Sequence, residues 1–167
     1  MLFKNGTAGA ADMACLRSLH DLRTWTRSIK TLDPVHKYIV AYAIILCSGT
    51  LERAFKNIIA DQVSVGCSPQ VCKCIDRVIR QCSTNPRYEE IVKVLSMFDK
   101  VWSAAFKMLV QELPEHYRQS LESLVKNRNL VAHGGAVTSG FGEVVSYYCR
   151  ARRVVAQIEK AIVVEEP

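Results

Sequence analysis

The chain is poor in the residues that interrupt helices. Eight glycines and five prolines are spread over 167 residues, which disfavours a fold built from many tight turns. No run alternates apolar and polar residues for long enough to make a half-buried strand. The longest charge-free apolar stretch, Tyr38 to Leu51, has fourteen residues. That is short of the roughly 20 needed to cross a bilayer, so a buried core helix is expected and no membrane partner. No basic region leads into an apolar stretch at the start, so no secretory signal is expected. Internal repeats and low-complexity tracts are also missing.

What is present has an ordinary globular balance, 49% hydrophobic and 23% charged residues. It is enough for one domain spanning 1–167 with a real core. The net charge of +6 leans toward an anionic partner such as nucleic acid, a statement about binding and not about fold. Seven cysteines stand at 15, 47, 67, 72, 74, 82 and 149. The count is odd, and Cys15, Cys47 and Cys149 lie in apolar helical patterns. Reduced thiols in a cytoplasmic protein are therefore expected. Cys67, Cys72, Cys74 and Cys82 are separated by four, one and seven residues, without paired CxxC units or a nearby histidine. No metal or other cofactor is expected there.

Apolar residues recur at helical spacing almost throughout. Met13, Leu16, Leu19, Leu22 and Trp25 form a core-facing stripe in a helix of about 10–31. Asp33-Pro34 restarts the chain into a long, mostly buried helix of about 34–64. Gly66 breaks it, and Ser68-Pro69 opens a helix of about 69–82. Asn85-Pro86 opens a segment carrying Ile91, Val94, Leu95 and Phe98, which continues past Asp99 toward Val110. After Leu113-Pro114 come a helix of about 115–132, a Gly134-Gly135 stop with a loop, and a last helix of about 141–163. The expected fold is all-α, an up-and-down bundle of four to five main helices, with Trp25 and Trp102 in the core.

One segment concentrates chemistry: Lys126-Asn127-Arg128-Asn129-Leu130-Val131-Ala132-His133-Gly134-Gly135. Asn129 and His133 are four apart and share a helix face, whereas Arg128 and His133 are about 140° apart. Arg-x4-His alone is cheap: twelve arginines and four histidines would give about 0.3 such pairs by chance. The context adds weight, with an amide after the arginine, a small residue before the histidine and a glycine stop after it. A guanidinium, an amide and an imidazole together can hold a phosphate and move a proton near neutral pH. His20, His36 and His116 lack a partner at useful spacing and read as structural or surface residues.

Here the sequence resembles the HEPN superfamily, and within it the RiboL-PSP-HEPN family. The resemblance rests on Arg128-Asn129-Leu130-Val131-Ala132-His133-Gly134, with Ser48-Gly49-Thr50-Leu51-Glu52 on the second helix. Asn85-Pro86-Arg87-Tyr88-Glu89-Glu90-Ile91, Phe98-Asp99-Lys100-Val101-Trp102 and the trailing Glu143 to Tyr148 follow in order, so it covers roughly 30–163. It implies a metal-independent endoribonuclease, commonly a toxin or defence effector, dimerising through the motif helix into a composite active site. RNA is the implied substrate and an antitoxin protein a possible partner. Arg128 and His133 match the family's catalytic pair and Asn129 its polar position after the arginine. Glu52 matches a polar position on the second helix, with Lys56 spaced to pair with it one turn later.

Such chemistry uses the ribose 2′-hydroxyl as nucleophile, leaving a 2′,3′-cyclic phosphate and a 5′-hydroxyl. It needs a base, an acid and positive charge against the phosphorane. One chain supplies one suitable histidine, so two copies about a two-fold axis are expected, with a bell-shaped pH profile. Arg150, Arg152 and Arg153 could guide RNA, although a solvated helix face explains them equally well. Glu52 and Lys56 could be a plain surface pair. The alternative function is a non-catalytic helical module for dimerisation or RNA binding.

Overall fold

The punctuation of the sequence sets most helix boundaries. The computed structural model describes residues 2–28 and 34–163, and they form eight α-helices with no strand among them. Helix α1 is Gly6–Ser28, α2 Pro34–Val63, α3 Pro69–Ile75, α4 Tyr88–Phe98, α5 Lys100–Gln111, α6 Glu115–Ala132, α7 Phe141–Val155 and α8 Gln157–Ile162. A π-helical turn, Asp76–Arg80, extends α3. The all-α expectation holds. The expected first-helix end and Asp33 lie outside the described residues.

Local chemistry explains the ends. Asn5 accepts from the Ala8 N–H at 2.9 Å and so caps α1, while Glu159 of α8 accepts from the Lys4 and Asn5 N–H groups at 2.8 and 2.7 Å. At α3, Ser68 caps and Pro69 takes the first turn, where its missing N–H costs nothing. The segment expected to run from Asn85 past Asp99 is instead two helices. Asp99 has extended backbone (φ −154°, ψ 124°) and its carboxylate accepts from the Val101 N–H at 2.6 Å. It therefore ends α4 and caps α5, the usual competition an aspartate offers a helix.

Helix α2 is the hub, packed against α1, α6, α7 and α8. It is long and apolar enough to cross a membrane by length and composition, but more than half of that apolar window is buried in the bundle. Ile44, Cys47, Leu51, Phe55 and Ile59 are fully covered, each contributing about 1–3 kcal/mol of burial. Helix α6 lies on α2 and α7, and α4 reaches across α6.

Helix α1 departs from its expected stripe. Ala8, Asp12, Cys15 and Leu19 face inward, whereas Met13 is exposed and Trp25 is 66% exposed. Strict three-residue steps drift around a helix of 3.6 residues per turn, so Trp25 leaves the core face. Trp102 is half-buried against the core as expected. Asp12 is enclosed: its Oδ1 accepts from the Tyr148 hydroxyl at 2.8 Å, and its Oδ2 faces Arg152 Nη2 at 3.3 Å, outside hydrogen-bond geometry. This buried link fastens α1 to α7.

Candidate active site

Helix α6 ends in a Schellman turn built by its two glycines. Gly134 N–H bonds to the Val131 carbonyl at 3.2 Å and Gly135 N–H to the Leu130 carbonyl at 2.7 Å. Gly134 has φ +73°, a conformation that favours glycine. A side chain at Gly135 would stand 3.2 Å from both Leu130 Cδ2 and the Leu130 carbonyl oxygen. His133 is the cap residue, exposed to solvent, with its own N–H bonded to the Asn129 carbonyl at 3.1 Å. The sequence thus fixes the backbone of the histidine while leaving its side chain exposed to solvent.

Around it, Arg87, Lys126, Asn129, Leu130, His133 and Gly135 line an open groove of about 280 Å³. Lys126, Asn129 and His133 share one face of α6 by their three- and four-residue steps. Arg128 leaves the helix on another side, and its Nη1 donates to Asn129 Oδ1 at 3.3 Å. Asn129 therefore joins the two: its side chain borders the groove and orients the guanidinium. Asn127 donates to the Ser139 hydroxyl at 3.2 Å, tying the following loop back to α6. On that loop's other side a cleft of about 680 Å³ is lined by His36 and Tyr38 of α2 and by Gly134 to Gly140. His36, read from sequence as an isolated residue, thus stands beside the motif's loop.

The remaining sequence-flagged residues fall elsewhere. Lys56 is only 4% exposed, so its pair with Glu52 is not a surface pair. Its ammonium also donates to the Cys82 carbonyl, fastening the end of the π turn to α2. Arg152 is turned inward onto Asp12, leaving Arg150 half-buried and Arg153 exposed on α7. Cys67, Cys72, Cys74 and Cys82 do not converge: among the described residues no group of three or more His, Cys, Asp or Glu could hold a metal. In the buried seam of α1, α2 and α7, the Cys47 hydrogen bond draws the Cys15 thiol down to about 7, while that bond and burial push Cys47 up. The Tyr148 hydroxyl is pushed up by burial and by the Cys15 and Asp12 charges.

The chain is thus an all-helical bundle whose α6 ends in a glycine-capped Arg-Asn…His segment with its histidine exposed. The family model RiboL-PSP-HEPN matches residues 17–164, and the chain belongs to that family. HEPN domains are generally RNases, which supports a nuclease-type function at the level of the family. No curated protein and no solved structure matches this chain.

Proposed function

We propose that this protein is a metal-independent endoribonuclease whose active site is assembled from two copies of the α6 end. The observation that carries the reading is His133 held by its backbone in a Schellman cap, exposed to solvent beside Asn129, Arg87 and Lys126. The 2′-hydroxyl of RNA attacks the adjacent phosphorus, one imidazole taking its proton while a second protonates the leaving 5′-oxygen. Arg128, oriented by Asn129, holds the non-bridging oxygens as charge builds on the phosphorane. The products are a 2′,3′-cyclic phosphate and a 5′-hydroxyl, and DNA is refused because it lacks the nucleophile.

One chain brings one such imidazole, so the chemistry needs a second copy. Tyr38, beside the motif's cleft, continues along α2 into Tyr42 and Ile45, respectively 65%, 55% and 42% exposed. Their three- and four-residue spacing makes an apolar row, which we assign to the partner copy together with the α6 end. In the cell the activity suits a cytoplasmic toxin or antiviral effector restrained by an antitoxin protein.

The test is total RNA incubated in EDTA with wild type, Arg128→Ala and His133→Ala. Cleavage by wild type alone, leaving cyclic-phosphate ends, supports the reading. Cleavage only with added divalent metal, or full activity of His133→Ala, overturns it.

A further inference from the structure

The groove beside His133 has a wall that the motif does not supply. Arg87 is the N-cap residue of α4, with extended backbone at φ −75° and ψ 149°. Its own N–H bonds to the Asn85 carbonyl at 2.8 Å. The next residue is anchored on α6: the Tyr88 N–H donates to Glu122 Oε1 at 3.0 Å. The Tyr88 ring lies 5.0 Å from the Arg118 guanidinium and 5.8 Å from the Phe106 ring, inclined 27° to the latter. Arg118, Glu122, Lys126 and His133 follow one another along one face of α6 at helical spacing. The start of α4 is therefore fastened to the same face that carries His133, and this places Arg87 across the groove from it.

No carboxylate lines this groove: Glu122, the nearest along α6, is taken up by the Tyr88 N–H. Lys56, Arg80 and Arg152 each pair with a carboxylate. Arg87 and Lys126 form no ion pair among the described residues, and both are exposed. Two free cations from different elements border a groove that also holds an amide and an imidazole. A guanidinium fork and an ammonium that converge without a protein carboxylate suit an anion with several oxygens.

We propose that Arg87 and Lys126 form a phosphate clamp that grips the RNA backbone next to the phosphate being cleaved. The proposal rests on His133 acting on RNA. Arg87 binds the neighbouring phosphate through two N–H donors, Lys126 adds a point charge, and the strand is thereby drawn past His133. Neither group takes part in proton transfer; both position the substrate.

A labelled 2′-O-methyl oligouridine 12-mer, which lacks the attacking hydroxyl, reads binding without cleavage. Its dissociation constant is measured against salt for wild type, Arg87→Gln, Arg87→Lys and Arg87→Gln/Lys126→Gln. Each lost phosphate contact on a single strand lowers the slope of log affinity against log salt by about 0.7. Arg87 and Lys126 share one phosphate, so the double variant is expected to lose about 0.7 of the slope and Arg87→Gln part of it, whereas Arg87→Lys keeps the slope but binds more weakly. On unmodified RNA, Arg87→Gln raises KM and leaves kcat nearly unchanged. Equal melting temperatures certify that the exposed substitutions leave the fold intact. An unchanged slope in the double variant, or no binding of the 12-mer by wild type, overturns the clamp. A lowered slope in a protein that never cuts unmodified RNA keeps the backbone contact but sinks the ribonuclease reading, and with it the clamp's place beside a cleaved phosphate.

Discussion

Gly135 donates its backbone N–H to the Leu130 carbonyl at 2.7 Å, and this bond closes the helix end that carries His133. Its partner bond, Gly134 to Val131, requires Gly134 at φ +73°. An alanine there must adopt a left-handed backbone at a cost of about 1–2 kcal/mol. Gly134→Ala is expected to lower Tm by several degrees and to lower kcat/KM further than the lost folded fraction explains. Thermal melts paired with RNA cleavage separate the two. Unchanged activity in Gly134→Ala would show that the cap does not position the imidazole.

On the proposed mechanism His133 moves the proton, and His133→Ala is expected to lower cleavage by about 10² to 10⁴. Arg128→Lys is expected to fail nearly as badly, because an ammonium does not reproduce the planar two-donor grip on phosphate oxygens. A reaction that uses one imidazole as base and a second as acid, as proposed, gives a bell-shaped dependence of kcat/KM on pH. A profile with a single limb would leave only one of them in the reaction.

The exposed row on α2 predicts the assembly. Tyr42→Asp puts a charge among Tyr38 and Ile45, where a second copy would bury it without a partner. Light scattering is expected to find wild type as a dimer and the variant as a monomer with cleavage largely lost. A wild type that is monomeric and active throughout its concentration range contradicts the composite site.

Much of the architecture was legible because proline and glycine punctuate it. Pro34, Pro69 and Pro114 stand at or beside helix starts, and Gly134-Gly135 marks the α6 end. The break at Asp99 was not, since the apolar spacing runs on across it and only the carboxylate's bond to Val101 decides the matter. The inner face of α1 escaped for another reason: Ala8 and Asp12 carry little or no apolar signal, and Asp12 is buried only because Tyr148 and Arg152 arrive from α7. Arg128, Asn129 and His133 were visible as neighbours in sequence. Arg87 was not visible as a wall of the same groove, because its place depends on Glu122 holding the start of α4.

Lys56 separates a structural role from a catalytic one. Its ammonium is enclosed by Glu52 and the Cys82 carbonyl, so Glu52→Gln leaves a buried cation without its counter-charge. The expected cost is about 2–4 kcal/mol of stability, since breaking a buried pair is worse than replacing it. Lys56→Met with Glu52→Gln should recover part of that loss. Cleavage per folded molecule is expected to stay within about twofold in the double variant. A large fall in kcat without a fall in stability would instead make Glu52 a participant in the reaction.

Tyr148 contributes a pH-dependent part of the stability at alkaline pH. Its hydroxyl is buried and donates to Asp12, and both burial and the neighbouring negative charge hold its pKa above the ordinary value of 10.0. A pKa raised on folding means that the folded state prefers the protonated phenol more strongly than the unfolded chain does. The stabilisation is therefore complete below about pH 10 and declines as pH rises toward the folded-state pKa. Tyr148→Phe removes the donor, leaves the Asp12 carboxylate less satisfied, and is expected to cost about 1–3 kcal/mol at neutral pH. It also removes the titrating phenol, so the difference between wild type and variant should shrink as pH climbs above 10. Urea unfolding of both proteins from pH 7 to 11 measures this. A difference that stays constant, or grows, over that interval would mean that the phenol is not held in its protonated form by the Asp12 contact.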